Sequence, residues 1–259
     1  MSQLEALRAH LLYNRFIPTP PPELMFCGDG DFRAIGAEFL GHLVAAGLQP
    51  RHRVLDIGCG VGRLALPLTQ YLDTSEGAGS YDGVDPVAAG IEWCAGAITP
   101  RYPRVRFRHM DLRHPLYNPG GALEAASTPL PFPDRSFDMV CFVSVLTHLD
   151  KPDVLHYAAE TARLLAPGGQ CFATAFLMNP PARAALLAGE GRIGFDGADP
   201  GPMYQSNKDA PLAGVAYDED VLLELFLRHG LRRRTAQYGH WSGRPLQPFQ
   251  DLCVFERVG

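Results

Sequence analysis

The sequence predicts an α/β fold in which helices cover both faces of a doubly wound, mostly parallel, seven-stranded sheet. Three observations support this prediction. Apolar segments of strand length alternate with helical segments from Arg53 onward, which is the pattern of a parallel sheet. A glycine-rich turn at 58–62 follows the first of those strands. The last two strands are joined by a short connection, so we expect the last strand to run antiparallel.

Length and composition are those of an ordinary globular protein. The 259 residues suffice for one α/β core with a small insertion; 46% are hydrophobic and 20% are charged. The net charge of −5 disfavours a surface that coats nucleic acid. No apolar run could span a bilayer, no secretory segment is present, and the six cysteines form no CxxC pair. These features predict a cytoplasmic protein with no membrane contact, no metal site and reduced cysteines.

Apolar runs and capping residues give the individual elements. The predicted strands are 53–57, 81–85, 105–111, 136–145, 170–178, 231–241 and 250–258. Asp or Gly at positions 31, 47, 150, 218 and 230 marks helix ends. The sequence Pro-Gly-Gly at 167–169 is expected to end the helix before the fifth strand. The predicted helices are 4–13, 32–46, 63–71, 87–97, 151–165, 182–188 and 219–229.

The chain is predicted to form a single domain, 1–259, with two additions to its core. Residues 1–30 form an N-terminal appendage with a proline-rich connector, and residues 31–178 and 217–259 form the core. Residues 179–216 interrupt the alternation and are predicted to form a cap or lid over the site, because long irregular loops in compact domains are usually functional. A second polar stretch, 113–131, separates the third and fourth strands.

The turn after the first strand has the pattern D-x-G-x-G-x-G, with Asp56 followed by Gly58, Gly60 and Gly62. Glycines at such a turn let a ligand approach the backbone. A dinucleotide fingerprint, G-x-G-x-x-G, would need its third glycine at position 63, where this chain has Arg63. The carboxylate of Asp56 favours a cationic ligand over a pyrophosphate. An NAD-dependent oxidoreductase is therefore disfavoured.

This motif resembles the first motif of the class I (Rossmann-like) S-adenosylmethionine-dependent methyltransferases. The segments SFDMVCFVSVLTHL and RLLAPGGQCFATAF resemble the fourth strand and the turn into the fifth strand of that family, so the resemblance extends from about Val54 to Phe176. It implies S-adenosylmethionine as cofactor and S-adenosylhomocysteine as product. The cofactor-binding residues that it implies are Asp56, Gly58, Cys59, Gly60, Arg63, Asp85, Pro86, Asp111, Leu112 and Ser144.

Two of these acidic residues have defined expected roles. Asp85, at the tip of the second strand, is expected to accept hydrogen bonds from the ribose hydroxyls, and it can also cap the following helix. The resemblance gives Asp111 the adenine amino group, with the Leu112 amide reaching the ring. Because residues 113–129 separate Asp111 from the LPFPD segment at 130–134, Ser127 or Thr128 is the alternative adenine contact.

The candidate catalytic residues lie after the strands of the second half. His148, in SVLTHLD, is the first candidate for a general base, and its structural alternative is to cap or orient the next helix. Tyr217 and His240 are weaker candidates, with a core tyrosine and a surface loop as the alternatives. The predicted substrate-binding residues are His148, Tyr217, Trp241 and Arg244, the last through a carboxylate or phosphate on the substrate.

These observations predict a methyltransferase that acts on an O or N atom of a small-molecule acceptor. The alternatives are a tRNA or protein methyltransferase and a non-catalytic module that binds S-adenosylmethionine. Arginines at 104, 106, 108 and 232–234 form two basic clusters that would suit RNA phosphates. The negative net charge favours solvated faces instead, so nucleic acid is not the expected partner. The sequence does not predict an oligomeric state.

Overall fold

The structure is a computed structural model that describes residues 2–14, 16–25, 30–75, 77–195, 203–245 and 247–258. It divides into two compact units, Met1–Asp111 and Leu112–Gly259. The single domain predicted from the sequence stays a prediction.

The first unit contains three parallel strands, in which the second strand pairs with both others. Asp31 caps its longest helix by accepting hydrogen bonds from the amides of Arg33 and Ala34, and Gly47 ends that helix at a φ of 112°. Both caps confirm the sequence prediction. The elements are α1 (Gln3–Tyr13), α2 (Phe32–Ala46), β1 (Arg53–Ile57), α3 (Ala65–Tyr71), β2 (Ser80–Asp85), α4 (Ala88–Ala97) and β3 (Val105–His109).

The N-terminal appendage is tied to this unit. Ser2 and Glu5 form a capping box at the start of α1. The guanidinium of Arg33, on α2, donates to the carbonyls of Asn14 and Ile17 at 2.6 and 2.7 Å. These charge-assisted bonds fix the path of the chain between α1 and the proline-rich connector.

The second unit contains the remaining strands and the cap. Its elements are β4 (Phe137–Phe142), a 3₁₀ turn (Leu146–His148), α5 (Lys151–Leu164), β5 (Leu165–Ala175), β6 (Leu177–Met178), α6 (Pro180–Leu187), β7 (Met203–Gln205), β8 (Val215–Asp218), α7 (Glu219–Leu227), β9 (Leu231–Gln237) and β10 (Asp251–Arg257). β4 and β5 are parallel, whereas β10 is antiparallel to both β5 and β9.

The main sheet has seven strands in the order β3-β2-β1-β4-β5-β10-β9. This order and the antiparallel last strand confirm the predicted fold class. Parallel strands bind ligands beyond their carboxyl ends. In each unit, a ligand site is therefore expected among the loops that follow the carboxyl ends of the parallel strands.

Several predicted strand boundaries are wrong. The strand predicted at 170–178 begins at Leu165, because the Pro-Gly-Gly sequence lies within β5 where the pairing with β4 shifts register. It also ends at Ala175, and β6 pairs with a different sheet. The strand predicted at 136–145 ends at Phe142, since Ser144 has a left-handed φ of 59°. The strands predicted at 105–111 and 231–241 end at His109 and Gln237.

The cap is more regular than the sequence suggests. It contains α6, close to the predicted short helix 182–188, and β7 and the start of β8, which form a three-stranded sheet with β6 in the order β6-β8-β7. Residues 196–202 of the cap lie outside the described part of the chain. A buried apolar cluster supports this small sheet; its members are Phe176, Met178, Ala182, Tyr204, Ala216 and Trp241.

The polar stretch 113–131 is held in place by α5. Arg163 donates hydrogen bonds to the carbonyls of Leu130 and Phe132 and to the carboxylate of Asp134, at 2.8–3.0 Å. Glu160 accepts the amide of Leu130 at 2.7 Å and pairs with Arg163. A single ion pair on α5 thus fixes the chain that leads into β4.

Two properties of the described residues limit the kinds of site that they can form. None of the helices they form has both the length and the apolar character needed to cross a membrane. They also contain no cluster of three or more His, Cys, Asp or Glu side chains placed to hold a metal ion. The cytoplasmic location stays a prediction.

Candidate active site

The turn between β1 and α3 is built on left-handed glycines. Gly60 has a φ of 54° and Gly62 a φ of 75°. A Cβ at Gly62 would lie 3.1 Å from both the Cys94 sulfur and the Ile98 side chain, whereas a Cβ at Gly60 would meet no described atom within 4 Å other than those of its chain neighbours. Gly62 therefore serves packing, and Gly60 leaves a bare backbone face beside open space.

The amide groups of this turn bind the chain itself. The amides of Gly58 and Cys59 both donate to the carbonyl of Val84, at 2.8 and 3.1 Å, and the Gly60 amide donates to Asp85 Oδ2 at 2.8 Å. The Cys59 side chain is buried, and burial raises the pKa of its thiol. Contact of Gly58 and Cys59 with a cofactor stays a prediction. Their backbone amides already donate to the Val84 carbonyl, so they do not support that contact.

Asp56 is a buried carboxylate with one unpaired oxygen. Its Oδ2 accepts the hydroxyl of Tyr81 at 2.6 Å, whereas Oδ1 has no partner among the described residues. Burial raises the pKa of Asp56 to about 7; the Tyr81 hydrogen bond lowers it and the negative charge of Asp85 raises it further. An ionised carboxylate here calls for a donor or cation from outside the chain, because unpaired buried charge is costly.

Asp85 joins the glycine turn to the start of α4. Its two oxygens accept the amides of Gly60 and Val87, each at 2.8 Å. Burial raises its pKa, while these two hydrogen bonds and nearby His109 act in the opposite direction. The helix-cap alternative for Asp85 is wrong, because Val87 is the N-cap of α4 and no side chain caps that helix; the Asp85 carboxylate instead binds the amide of the cap residue itself. Each carboxylate oxygen can accept a further hydrogen bond, so binding of ribose hydroxyls stays a prediction.

The other predicted cofactor contacts of the first unit lie around this turn. The Arg63 guanidinium stands 5.8 Å from the centroid of the Phe32 ring. The Pro86 carbonyl accepts a hydrogen bond from the His109 ring at 3.1 Å. Asp111 is half-buried and follows the residue whose amide binds the Asp85 carbonyl. The adenine role of Asp111 stays a prediction.

Three residues of the second unit bear on adenine recognition. Leu112 is buried and forms a parallel bridge with Leu123. Ser127 is exposed, and the Thr128 hydroxyl donates to the Glu124 carbonyl at 2.7 Å. That bond uses the only hydrogen of the Thr128 hydroxyl, but its oxygen can still accept a hydrogen bond from an adenine amino group. Both alternatives to Asp111 therefore stay predictions.

His148 lies in the 3₁₀ turn after β4, and the surrounding chain fixes its tautomer. Its Nδ1 donates to the carbonyl of Leu212, in the cap, at 3.0 Å. A carbonyl can only accept, so Nδ1 carries the proton, and the lone pair on Nε2 of the neutral ring has no hydrogen-bond partner among the described residues. Burial lowers the pKa of His148, which keeps the ring neutral at pH 7. This is the protonation state that a general base needs.

His114 and Tyr117 support His148, and sequence analysis missed both. The His114 Nε2 donates to the His148 carbonyl at 2.8 Å, and its Nδ1 accepts the amides of Leu116 and Tyr117. The Tyr117 ring lies 4.8 Å from the His114 ring and 5.4 Å from the His148 ring, measured between centroids. The segment HPLY at 114–117 matches no recognisable motif. The contacts of His114 and Tyr117 with His148 depend on the folded path of the polar stretch 113–131.

Ser144 anchors a polar group at the ends of β4 and β5. Its left-handed backbone costs about 1 kcal/mol for a residue with a Cβ. In return its amide donates to the Thr174 hydroxyl at 2.7 Å, and its hydroxyl donates to Gln250 Oε1 at 3.2 Å. The Thr174 hydroxyl also donates to Gln250 Oε1, at 2.5 Å. Thr174 and Gln250 were not singled out from the sequence.

Tyr217 lies in β8 and is almost fully buried. Its hydroxyl donates to the Leu149 carbonyl at 2.8 Å, and burial raises its pKa far above the ordinary value. This is the core position that the structural alternative predicted. Its catalytic and substrate-binding roles stay predictions.

The loop between β9 and β10 is organised around Asp251. This buried carboxylate accepts hydrogen bonds from the amides of Leu177 and Gly239 and from the indole of Trp241, each at 2.7 Å. Burial raises the pKa of Asp251 to about 6, and the three hydrogen bonds and the charge of Arg244 oppose that shift. Asp251 thus holds the loop and the base of the cap together, a role that the sequence did not suggest.

The three residues of this loop that were predicted to meet substrate have other contacts. The Trp241 side chain is completely buried in the cap cluster. Arg244 donates to the Ser242 hydroxyl at 3.0 Å and stands over the Tyr238 ring. The His240 ring lies 5.2 Å from that of Phe249. Contact of these residues with an acceptor stays a prediction.

A family model described as a methyltransferase domain matches residues 54–169. The 27-O-demethylrifamycin SV methyltransferase of Amycolatopsis mediterranei is 30% identical over 146 residues, covering 56% of this chain and 46% of that protein. The ubiquinone biosynthesis O-methyltransferase of Dinoroseobacter shibae is 30% identical over 163 residues, covering 61% and 54%. The chain thus spans about half the length of the curated relatives it matches.

Solved structures show the same fold at low sequence identity. An S-adenosylmethionine-dependent methyltransferase from Methanosarcina mazei superposes with a TM-score of 0.55 at 19% identity, covering 83% of this chain and 97% of that chain. The 1,6-didemethyltoxoflavin-N1-methyltransferase of Burkholderia thailandensis, with 1,6-didemethyltoxoflavin and S-adenosylhomocysteine bound, gives 0.56 at 19% identity, covering 99% and 87%.

Proposed function

We propose that this chain, which carries a class I S-adenosylmethionine-dependent methyltransferase domain, transfers a methyl group to an oxygen or nitrogen atom of a small-molecule acceptor. The observation that carries the proposal is the neutral His148, whose Nε2 lone pair has no partner among the described residues. The names of two relatives and of one solved structure support the acceptor class: a 27-O-demethylrifamycin SV methyltransferase, a ubiquinone biosynthesis O-methyltransferase and a 1,6-didemethyltoxoflavin-N1-methyltransferase.

The residues of the glycine turn fit this cofactor. S-adenosylmethionine carries an ammonium and a sulfonium and has no phosphate, and Asp56 presents a buried oxygen without a partner among the described residues. The open space beside Gly60 would be filled by any other side chain. We assign Asp56, Gly60, Asp85 and Asp111 to hold the cofactor. When bound, it supplies an electrophilic methyl group.

His148 would remove the proton that an acceptor hydroxyl or amine loses as it is methylated. The Leu212 carbonyl holds Nδ1–H, so the proton would go to Nε2. The lowered pKa keeps His148 unprotonated and ready to act at neutral pH. His114 is a positioning residue in this scheme, because it holds the main chain of His148 through the carbonyl.

The substitution His148→Asn tests the assignment of the base. The Asn amide nitrogen can take the place of Nδ1 against the Leu212 carbonyl, but the variant has no basic nitrogen. We expect cofactor affinity within about twofold of wild type and methyl transfer slower by about 100-fold or more. An unchanged rate at saturating cofactor would remove His148 from the mechanism.

The acceptor class is tested with methyl-labelled cofactor. The protein is incubated separately with a metabolite extract cleared by ultrafiltration, with total tRNA and with a protein extract. We expect label in the metabolite fraction and loss of that label in His148→Asn. Label in tRNA or protein instead would support the alternative methyltransferases. Cofactor binding with no label in any fraction would support the non-catalytic module.

The basic clusters give the RNA alternative little support. Arg104 donates to the carbonyls of Ala78 and Gly79, and Arg106 pairs with Asp82 at 2.8 Å. Arg232 pairs with Glu256 and Arg233 with Glu219. Pairing within the chain reduces the charge that these arginines offer to phosphates.

A further inference from the structure

The side-chain amide of Gln250 has a fixed orientation. The Thr174 hydroxyl accepts the amide of Ser144 and lies 2.5 Å from Gln250 Oε1, a separation that suits an O–H···O bond and is too short for an N–H···O bond. The Ser144 hydroxyl donates to the same Gln250 atom at 3.2 Å. Only the amide oxygen can accept two hydrogen bonds. The nitrogen, Nε2, is therefore turned away from both hydroxyls.

This orientation leaves two hydrogens on Gln250 Nε2 without a partner in the described part of the chain. The residue is half-buried, so the amide is neither enclosed in the core nor fully solvated. The amide oxygen of Gln250 accepts two hydrogen bonds, whereas its nitrogen has no partner among the described residues. The two N–H groups of Gln250, the donor pair, are therefore available to a ligand. The chemistry that complements such a pair is an oxygen acceptor, either a carbonyl or a carboxylate.

The position of this donor pair is at the ligand edge of the second unit. Ser144 follows β4, and Thr174 lies next to the carboxyl end of β5. Because β10 is antiparallel to β5, with Leu252 opposite Thr174, the residue that precedes β10 is at the same edge. Ligands of open parallel sheets bind beyond this edge.

We infer that Gln250 is a specificity-determining residue: its side-chain amide donates hydrogen bonds to a carbonyl or carboxylate oxygen of the methyl acceptor. The left-handed backbone of Ser144 is part of this arrangement, since it places an amide and a hydroxyl on Thr174 and Gln250. The inference rests on the proposed function and adds a recognition element to it. Acceptors without such an oxygen are expected to bind less well.

The substitution Gln250→Glu isolates the donor pair. A carboxylate at this position still accepts both hydroxyl hydrogens but donates nothing and repels an anionic oxygen. Gln247→Glu is the matched control, because it makes the same charge change at an exposed position three residues earlier in the same loop. Neither residue belongs to the buried apolar cluster that supports the small sheet of the cap.

The test uses the full chain saturated with S-adenosylhomocysteine, with acetate and benzoate as probes of the donor pair. In ¹⁵N NMR of the wild type, we expect the side-chain amide of Gln250 to shift on titration with either salt, while that of Gln247 stays unchanged. Ligand-observed NMR should show benzoate binding weakened about 10-fold or more in Gln250→Glu and within about twofold of wild type in Gln247→Glu. The wild-type titration is decisive even where a variant fails to fold.

Three results would overturn the inference. The first is no shift of the Gln250 amide with either salt, and the second is equal weakening of benzoate in both variants. The third is a loss of S-adenosylhomocysteine affinity in Gln250→Glu with benzoate binding intact, which would assign the donors to the cofactor carboxylate. None of these measurements needs turnover, so failure here is distinguishable from failure of the methyl-transfer assay.

Discussion

Replacement of Asp56 by Asn should change how stability depends on pH. Asn is isosteric with Asp, and its oxygen can accept the Tyr81 hydroxyl as the carboxylate does. It cannot ionise, so it removes the buried charge and little else. The cofactor-free protein is the relevant form, because a bound cation would itself stabilise the carboxylate.

The magnitude follows from the pKa of Asp56, which rises from an ordinary value of 3.8 to about 7 in the folded chain. A shift of about three units corresponds to about 4 kcal/mol, at roughly 1.4 kcal/mol per unit. Above pH 4 the unfolded carboxyl ionises while the folded one still keeps its proton, so the fold loses this stability as the pH rises to about 7. Well above that pH, the Asn variant should be the more stable protein by up to about 4 kcal/mol.

The assay is urea unfolding of the wild type and Asp56→Asn between about pH 4.5 and pH 8, without cofactor. Asp251, whose pKa is also raised, contributes equally to both proteins, so the difference between the two curves reports Asp56 together with its electrostatic coupling to Asp85. Tyr81→Phe removes the hydrogen bond that lowers this pKa and should move the fall in stability to higher pH. Parallel curves for the wild type and Asp56→Asn would refute the reasoning.

Three further predictions concern the turn and the loop. Asp85→Ala should weaken S-adenosylmethionine binding about 100-fold or more in calorimetry, since it frees the Gly60 amide and removes the proposed ribose contact; unchanged affinity would remove that assignment. Gly60→Ala should weaken cofactor binding and lower stability by about 1 kcal/mol, because its Cβ lies beside open space. Gly62→Ala should lose more stability in thermal unfolding, because its Cβ clashes with Cys94. A larger loss of stability in Gly60→Ala than in Gly62→Ala would contradict this reasoning. Asp251→Ala should destabilise the fold by more than about 3 kcal/mol in urea unfolding, because three buried donors lose their acceptor, and a loss below about 1 kcal/mol would contradict this.

The features that the sequence predicted are local in the chain. Asp56 and the glycines of the turn lie within seven residues, and their order alone separates this turn from a dinucleotide turn. The caps Asp31, Gly47 and Asp218 were predicted for the same reason, since a cap acts within one helical turn. His148 was predicted because it follows the fourth strand in the segment SVLTHLD.

The features that the sequence missed depend on contacts between distant segments. Gln250 meets Thr174 across 76 residues, and Leu177 meets Asp251 across 74. No local pattern marks either member of these pairs, because the register between β5 and β10 decides which side chains meet. The Pro-Gly-Gly sequence led to a wrong strand boundary, although its signal is local. It is typical of the end of a helix, yet here it forms an irregular part of β5.

The hydrogen bonds of Asp251 also restrict how the cap can move relative to the strands of its own unit. One carboxylate fastens the first residue of β6, the loop after β9 and the start of β10 at a single buried point. A rotation of the whole cap about Leu177 would break these hydrogen bonds and leave the buried carboxylate unpaired. The hinge of any movement that keeps them must therefore lie farther along the chain than β6. The root of the cap at β6 thus stays joined to the main sheet for as long as these three hydrogen bonds are intact.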